Sequence, residues 1–156
     1  MEWMTLAGTG LGALVGVGST LLADRARWRR DSAGQARQER KDIYVACLTS
    51  FRQAHEAMRA VATGDQQREA AALDAAVREA FRASGCNEAR ETALICVPPA
   101  LAAAVEDAHL SLRELRDVLA AGHPLASADY KEARRAHTRT VAAAREAMRH
   151  DLDRQV

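Results

Sequence analysis

Residues 97–124 read VPPALAAAVEDAHLSLRELRDVLAAGHP, and this stretch decides the fold class. Pro98 and Pro99 stand where a helix begins, because proline's fixed φ suits the first turn and its missing N–H costs nothing there. Leu101, Val105, Ala108, Leu112, Leu115 and Leu119 then recur at alternating steps of four and three. That spacing is the seam of a helix packed along another helix. Gly122 follows as a helix stop, and Pro124 prevents the helix from resuming.

The same rhythm continues on both sides of this segment. Downstream, Ser127 is placed to cap a helix whose stripe is Tyr130, His137, Val141, Ala144, Met148 and Leu152. Upstream, Leu73, Val77 and Phe81 share one face, and Ser84-Gly85 marks a candidate break before Asn87 to Val97. Further upstream, Ile43, Tyr44, Cys47, Leu48, Phe51, His55, Met58 and Val61 form a fourth stripe, closed by Thr63-Gly64 with Asp65 as the next cap. Short connections between long helices make neighbours antiparallel. Residues 42–156 are therefore expected to form an all-α antiparallel bundle of about four long helices.

Composition agrees with that expectation. Alanine supplies 35 of the 156 residues, arginine outnumbers lysine 20 to 2, and aromatic residues make up only 4 %. A β-sandwich or barrel needs more β-branched and aromatic residues. Extended disorder is excluded by 48 % apolar residues. The core is expected to be thin, because alanine-rich seams allow close approach but bury little area per residue.

Residues Trp3 to Ala23 carry no charge, a run of 21 residues bounded by Glu2 and Asp24. As a helix it spans roughly 31 Å, the thickness of a bilayer's hydrocarbon core. Trp3 and Trp28 flank it at interface positions. Residues 1–23 are expected to be a transmembrane anchor. A cleaved leader is disfavoured, because Glu2 is the only charged side chain ahead of the run and Leu21 occupies the −3 position of a cut after Ala23. Residues 24–41 hold seven basic and three acidic side chains, with Arg25, Arg27, Arg29 and Arg30 leading. This basic juxtamembrane segment sets the topology: N-terminus outside, bundle cytoplasmic, and arginines on anionic headgroups of the bilayer. Gly34 is a candidate hinge between anchor and bundle.

Gly8, Gly12 and Gly16 lie four residues apart on one face of the span, a glycine-zipper pattern for close helix association. The expected partner is a second copy or another membrane protein. The same region matches a dinucleotide fingerprint at Gly8-Thr9-Gly10-Leu11-Gly12-Ala13, but no strand precedes it. Nucleic acid is not expected as a partner, since the net charge is +1 and no aromatic residues are interleaved with the basic ones.

The metal-ligand candidates in the bundle are His55, Glu106, His109 and His137. Glu106 to His109 is a Glu-x-x-His element, which di-iron bundles use twice along with two further glutamates. It occurs once here. Packed core histidines are the plainer expectation, with no cofactor. Cys47, Cys86 and Cys96 form no paired motif. Arg82 and Arg90, one turn either side of Cys86, would favour its thiolate, against the plainer expectation of a buried thiol. No catalytic constellation stands out, and the chain is not expected to be an enzyme.

Leu14 to Arg25, followed by Arg27-Trp28-Arg29-Arg30-Asp31, resembles the opening of a group of small actinobacterial single-pass membrane proteins. They share a glycine-rich span, a basic exit and an alanine/arginine-rich helical tail. The resemblance covers about the first thirty residues and continues as helical rhythm only, including Leu115-Arg116-Asp117. It implies membrane anchorage without implying an activity. Together these readings point to a membrane-anchored scaffold, adaptor or regulatory partner. The rival readings are a small pore or holin-like oligomer built on the glycine face and, third, a metal-binding bundle.

Overall fold

In the computed structural model, the backbone is described for residues 3–64 and 68–154, and side chains for residues 28, 32, 34–64 and 68–154. Five helices follow one another: α1 (Trp3–Gly64), α2 (Ala70–Ala83), α3 (Cys86–Cys96), α4 (Pro99–Ala120) and α5 (Ala128–Asp153). No strand occurs among the described residues. The chain divides into two compact units, Met1–Glu39 and Arg40–Val156.

The first unit is helical throughout its described backbone, with helix on both sides of Gly34. A Cβ added at Gly34 would meet nothing within 4 Å. Trp28 is 71 % exposed. Among the described residues, no helix is long and apolar enough to cross a membrane. The uncharged run Trp3–Ala23, with Gly8, Gly12 and Gly16, and the leading arginines Arg25, Arg27, Arg29 and Arg30 lie outside the described side chains.

The second unit is the helical bundle. Its core joins four legs: Tyr44, Cys47, Phe51, Ala54 and Met58 of α1, Val77 and Phe81 of α2 with Cys86 and Ala93 of α3, the α4 seam, and Tyr130, Ala144 and Met148 of α5. All six residues of the expected α4 seam are buried, and Leu112, Leu115 and Leu119 are fully so. Leg directions follow from contacts at both ends. Tyr44 bonds Asp151 and His55 bonds Tyr130, so α5 runs antiparallel to the bundle part of α1. Ser111 meets His137 while His123 pairs with Asp129, so α4 and α5 are antiparallel. Arg78 reaches Asp117 and Arg90 reaches Glu106, so α2 and α3 together run antiparallel to α4.

The helix ends follow local chemistry. Ser127 accepts the Tyr130 N–H at 3.2 Å through its side chain. After α4, Gly122 takes φ +76°, its N–H bonding Leu119 O and the His123 N–H bonding Val118 O. That double closure is a Schellman motif, which requires a left-handed residue. The second leg breaks where Ser84-Gly85 foreshadowed it: Gly85 has φ +69°, and the Ser84 hydroxyl donates to Phe81 O at 2.7 Å. Four sequence legs thus become five helices. The start of the second leg differs from expectation: α2 begins at Ala70 after Glu69, and the proposed cap Asp65 lies outside the described residues.

Candidate functional site

Two polar clusters interrupt the apolar core, and both are built on histidines. The first joins α1, α4 and α5. His55 and Tyr130 share a hydrogen bond of 3.2 Å between Nε2 and Oη. The His55 ring meets the His137 ring edge-on, with centroids 6.0 Å apart. His137 Nδ1 lies 3.1 Å from the Ser111 hydroxyl, which also contacts the Thr140 hydroxyl at 2.7 Å. These side chains sit where they do because His137 and Thr140 are one turn apart on α5, facing the same stretch of α4.

Burial sets the protonation of this cluster. His137 is pushed down from 6.5 to about 4, first by loss of solvation and then by the neighbouring His55. His55 is also lowered, by burial and then by the Arg134 and Arg59 cations. Both rings are thus neutral near pH 7 and act as one-donor, one-acceptor links. The pair lies against a groove of about 470 Å³ between α1 and α5, with Leu48, Val141 and Ala142 among its apolar lining and Arg52 and Arg145 among its cations.

The second cluster lies between α4 and the α2/α3 leg. His109 Nε2 pairs with Asn87 Oδ1 at 3.0 Å, and its ring packs against Phe51 and Phe81. Arg116 lies over the Phe81 ring, 5.1 Å from its centroid. Arg90 grips Glu106 with two bonds, its Nε donating to Oε2 at 2.6 Å and its Nη2 to Oε1. That pairing holds the Glu106 carboxyl below its usual range. The cleft here is rich in arginine, yet its cations are largely matched: Arg78 by Asp74 and Asp117, Arg82 by Glu79, Arg90 by Glu91 and Glu106, Arg116 by Asp117.

The four metal-ligand candidates are thus distributed between two clusters. His55 and His137 meet across α1 and α5. His109 and Ser111 are separated by roughly 200° around α4, so a helix that aims Ser111 at α5 aims His109 at the opposite leg. Glu106 is committed to Arg90. Among the described residues, no group of three His, Cys, Asp or Glu side chains is placed to hold a metal ion. Cys86 is fully buried, and its thiol is raised from 9.0 first by loss of solvation, with Glu88 adding to the rise and Arg116 opposing it. Cys47 is likewise buried and raised to about 11. Neither thiol is poised as a nucleophile.

A third polar contact was not anticipated from sequence. The Tyr44 hydroxyl donates to Asp151 Oδ2 at 2.8 Å, and Arg40 reaches the same oxygen at 3.3 Å. Asp151 is 4 % exposed and Tyr44 2 %. The available signal was position: Asp151 lies three residues after Met148, on the apolar stripe, where a carboxylate needs a donor from the facing helix.

No family model, curated protein or solved structure matches the chain.

Proposed function

We propose that the chain is a membrane-anchored interaction protein: a single-pass span, N-terminus outside, carrying a cytoplasmic antiparallel helical bundle that binds partners. The observation that carries this reading is the 21-residue uncharged run, Trp3–Ala23, followed at once by a segment with seven basic and three acidic side chains. Arg25, Arg27, Arg29 and Arg30 then contact anionic headgroups and fix the orientation. Gly8, Gly12 and Gly16 present a groove along the span for a second copy or another membrane protein. The resemblance to small actinobacterial membrane proteins supports the anchor. Neutral, hydrogen-bonded histidines and buried thiols support a bundle that acts by its surface.

The test is a matched pair of substitutions in a membrane association reporter. Gly12 is the middle of the glycine stripe, whereas Gly18 lies roughly 240° around the helix from it. Gly12→Ile is expected to weaken association and Gly18→Ile much less, although both raise hydrophobicity equally. Equal association by the two variants would remove the glycine face from the account. Pull-down of the full chain from its native membrane then distinguishes a lone homo-oligomer from a stoichiometric second protein.

A further inference from the structure

The charge on the bundle is matched on one side and unmatched on the other. Around α2, α3 and α4, most arginines lie within 4 Å of a carboxylate. On α5, residues 131–145 hold five cations, Lys131, Arg134, Arg135, Arg139 and Arg145, against Glu132 alone. None of the five makes an ion pair among the described residues. Unpaired cations at this density repel one another and raise the local potential, an arrangement suited to an anionic partner.

Of these five cations, Arg145 lines the groove between α1 and α5, and the other four line the depression beside it. Arg134, Thr138, Val141 and Arg145 recur at steps of four, three and four, so they share one stripe of α5. Thr138, Val141, Ala142 and Arg145 line the groove directly. Thr138 also borders the neighbouring depression formed by Lys131, Arg134, Arg135 and Arg139. On the α1 wall, Arg52 lines the groove and pairs with Glu56 at 3.9 Å, and Arg59 and Glu56 both lie close enough to act on His55, so the unmatched positive border is that of α5. Apolar lining with a basic border is the complement of an acidic amphipathic helix.

We propose that this groove docks an acidic amphipathic helix of a partner protein, with Arg134 and Arg145 meeting its carboxylates and Val141 and Ala142 meeting its apolar face. The α1 lining of the groove, from Val45 to His55, is roughly 15 Å long, room for about three helical turns. A flat lipid surface fits less well. Helices that lie on membranes project large apolar side chains into the bilayer. Among the large apolar residues exposed on the described surface, Val45 alone lines this groove. Single-stranded nucleic acid fits less well too, since no Phe, Tyr or Trp lines the groove for stacking. The inference deepens the interaction reading and rests on it only in that the bundle acts by binding. The Gly12→Ile comparison can fail while the groove still binds, and the reverse.

The experiment uses the full chain in neutral phosphatidylcholine nanodiscs. The probe is a fluorescein-labelled peptide of about 16 residues, roughly 24 Å of helix, with Leu and Ala on one face and Glu on the other. A scrambled peptide of the same composition is the control. Anisotropy should show binding of the amphipathic peptide and not of the scrambled one. Arg134→Glu/Arg145→Glu should weaken binding by about tenfold or more. Ala142→Glu, at an exposed position in the groove, should do the same without altering the melting curve. Arg113→Glu, exposed on α4, should leave binding within about twofold. Absent binding, equal binding of the scrambled peptide, or equal weakening by Arg113→Glu would each overturn the proposal. Two further outcomes would reassign the face. Displacement of the peptide by phosphatidylserine vesicles, sensitive to Arg134→Glu/Arg145→Glu but not to Ala142→Glu, would give it to lipid. Dimerisation abolished by the same variants would give it to a second copy.

Discussion

Acidification should loosen the bundle through His137. This ring is 6 % exposed and its pKa falls from 6.5 to about 4, because burial disfavours the imidazolium and His55 stands edge-on to it. The unfolded chain therefore takes up the proton first as pH falls, so stability is full above 6.5 and is lost between 6.5 and 4. From pH 7 to pH 5, linkage through this one ring removes about 2 kcal/mol. A loss of that size moves a urea midpoint by about 1 M. His55 and His109 are lowered by burial as well, so they add to the loss with the same sign. The assay is urea unfolding of the full chain in mild detergent, followed by helical ellipticity at pH 7 and pH 5. His137→Gln lowers the starting stability but removes the titration, so the difference between the two pH values should shrink by about 2 kcal/mol. An unchanged difference would show that His137 is solvated, and the network through Ser111 and Thr140 would lose its place in the core.

Three further substitutions test particular contacts. Leu112 is fully buried in the α4 seam, so Leu112→Asp should cost several kcal/mol, comparable to the whole stability of a small domain, and abolish the cooperative melt. Tyr44→Phe removes one donor from the buried Asp151 carboxylate and should cost about 2 kcal/mol in urea unfolding, whereas an exposed pair would cost almost nothing. At Gly85, an added Cβ meets only Glu88 Oε2 at 4.0 Å, so the penalty of Gly85→Ala is left-handed backbone strain, about 1–2 kcal/mol. A neutral result there would mean that α2 and α3 are joined without a left-handed residue.

The bundle was largely legible because its signals are local. Apolar spacing identified the α4 seam, and Ser127, Gly122, Pro98 and Pro99 marked ends through capping and φ restrictions acting within a few residues. The α5 stripe was likewise readable, including His137. Partner choice was less so. Helical spacing gives the direction a side chain leaves its own axis, but not which leg stands opposite. His109 was therefore grouped with His55 and His137 as a ligand candidate, although the bundle turns it toward Phe81 and Asn87. Ser111 and Asp151 were missed for a related reason. Each is a polar residue on an apolar face, meaningful only once His137 and Tyr44 are known to face it. The unmatched cations of α5 were visible as letters, but their lack of carboxylate neighbours depends on the tertiary arrangement.

The central claim, an anchored bundle on the cytoplasmic side, is tested most directly by labelling at a site known to be exposed. Cys47 and Cys86 are fully buried, so their protection from a reagent says nothing about membrane side. Ala126, exposed in the connection between α4 and α5, is a better reporter as Ala126→Cys combined with Cys96→Ser. In intact cells a membrane-impermeant maleimide should leave this variant unlabelled, and permeabilisation should expose it, while alkaline carbonate leaves the chain in the membrane pellet. Labelling in intact cells would reverse the orientation, and release by carbonate would remove the anchor itself.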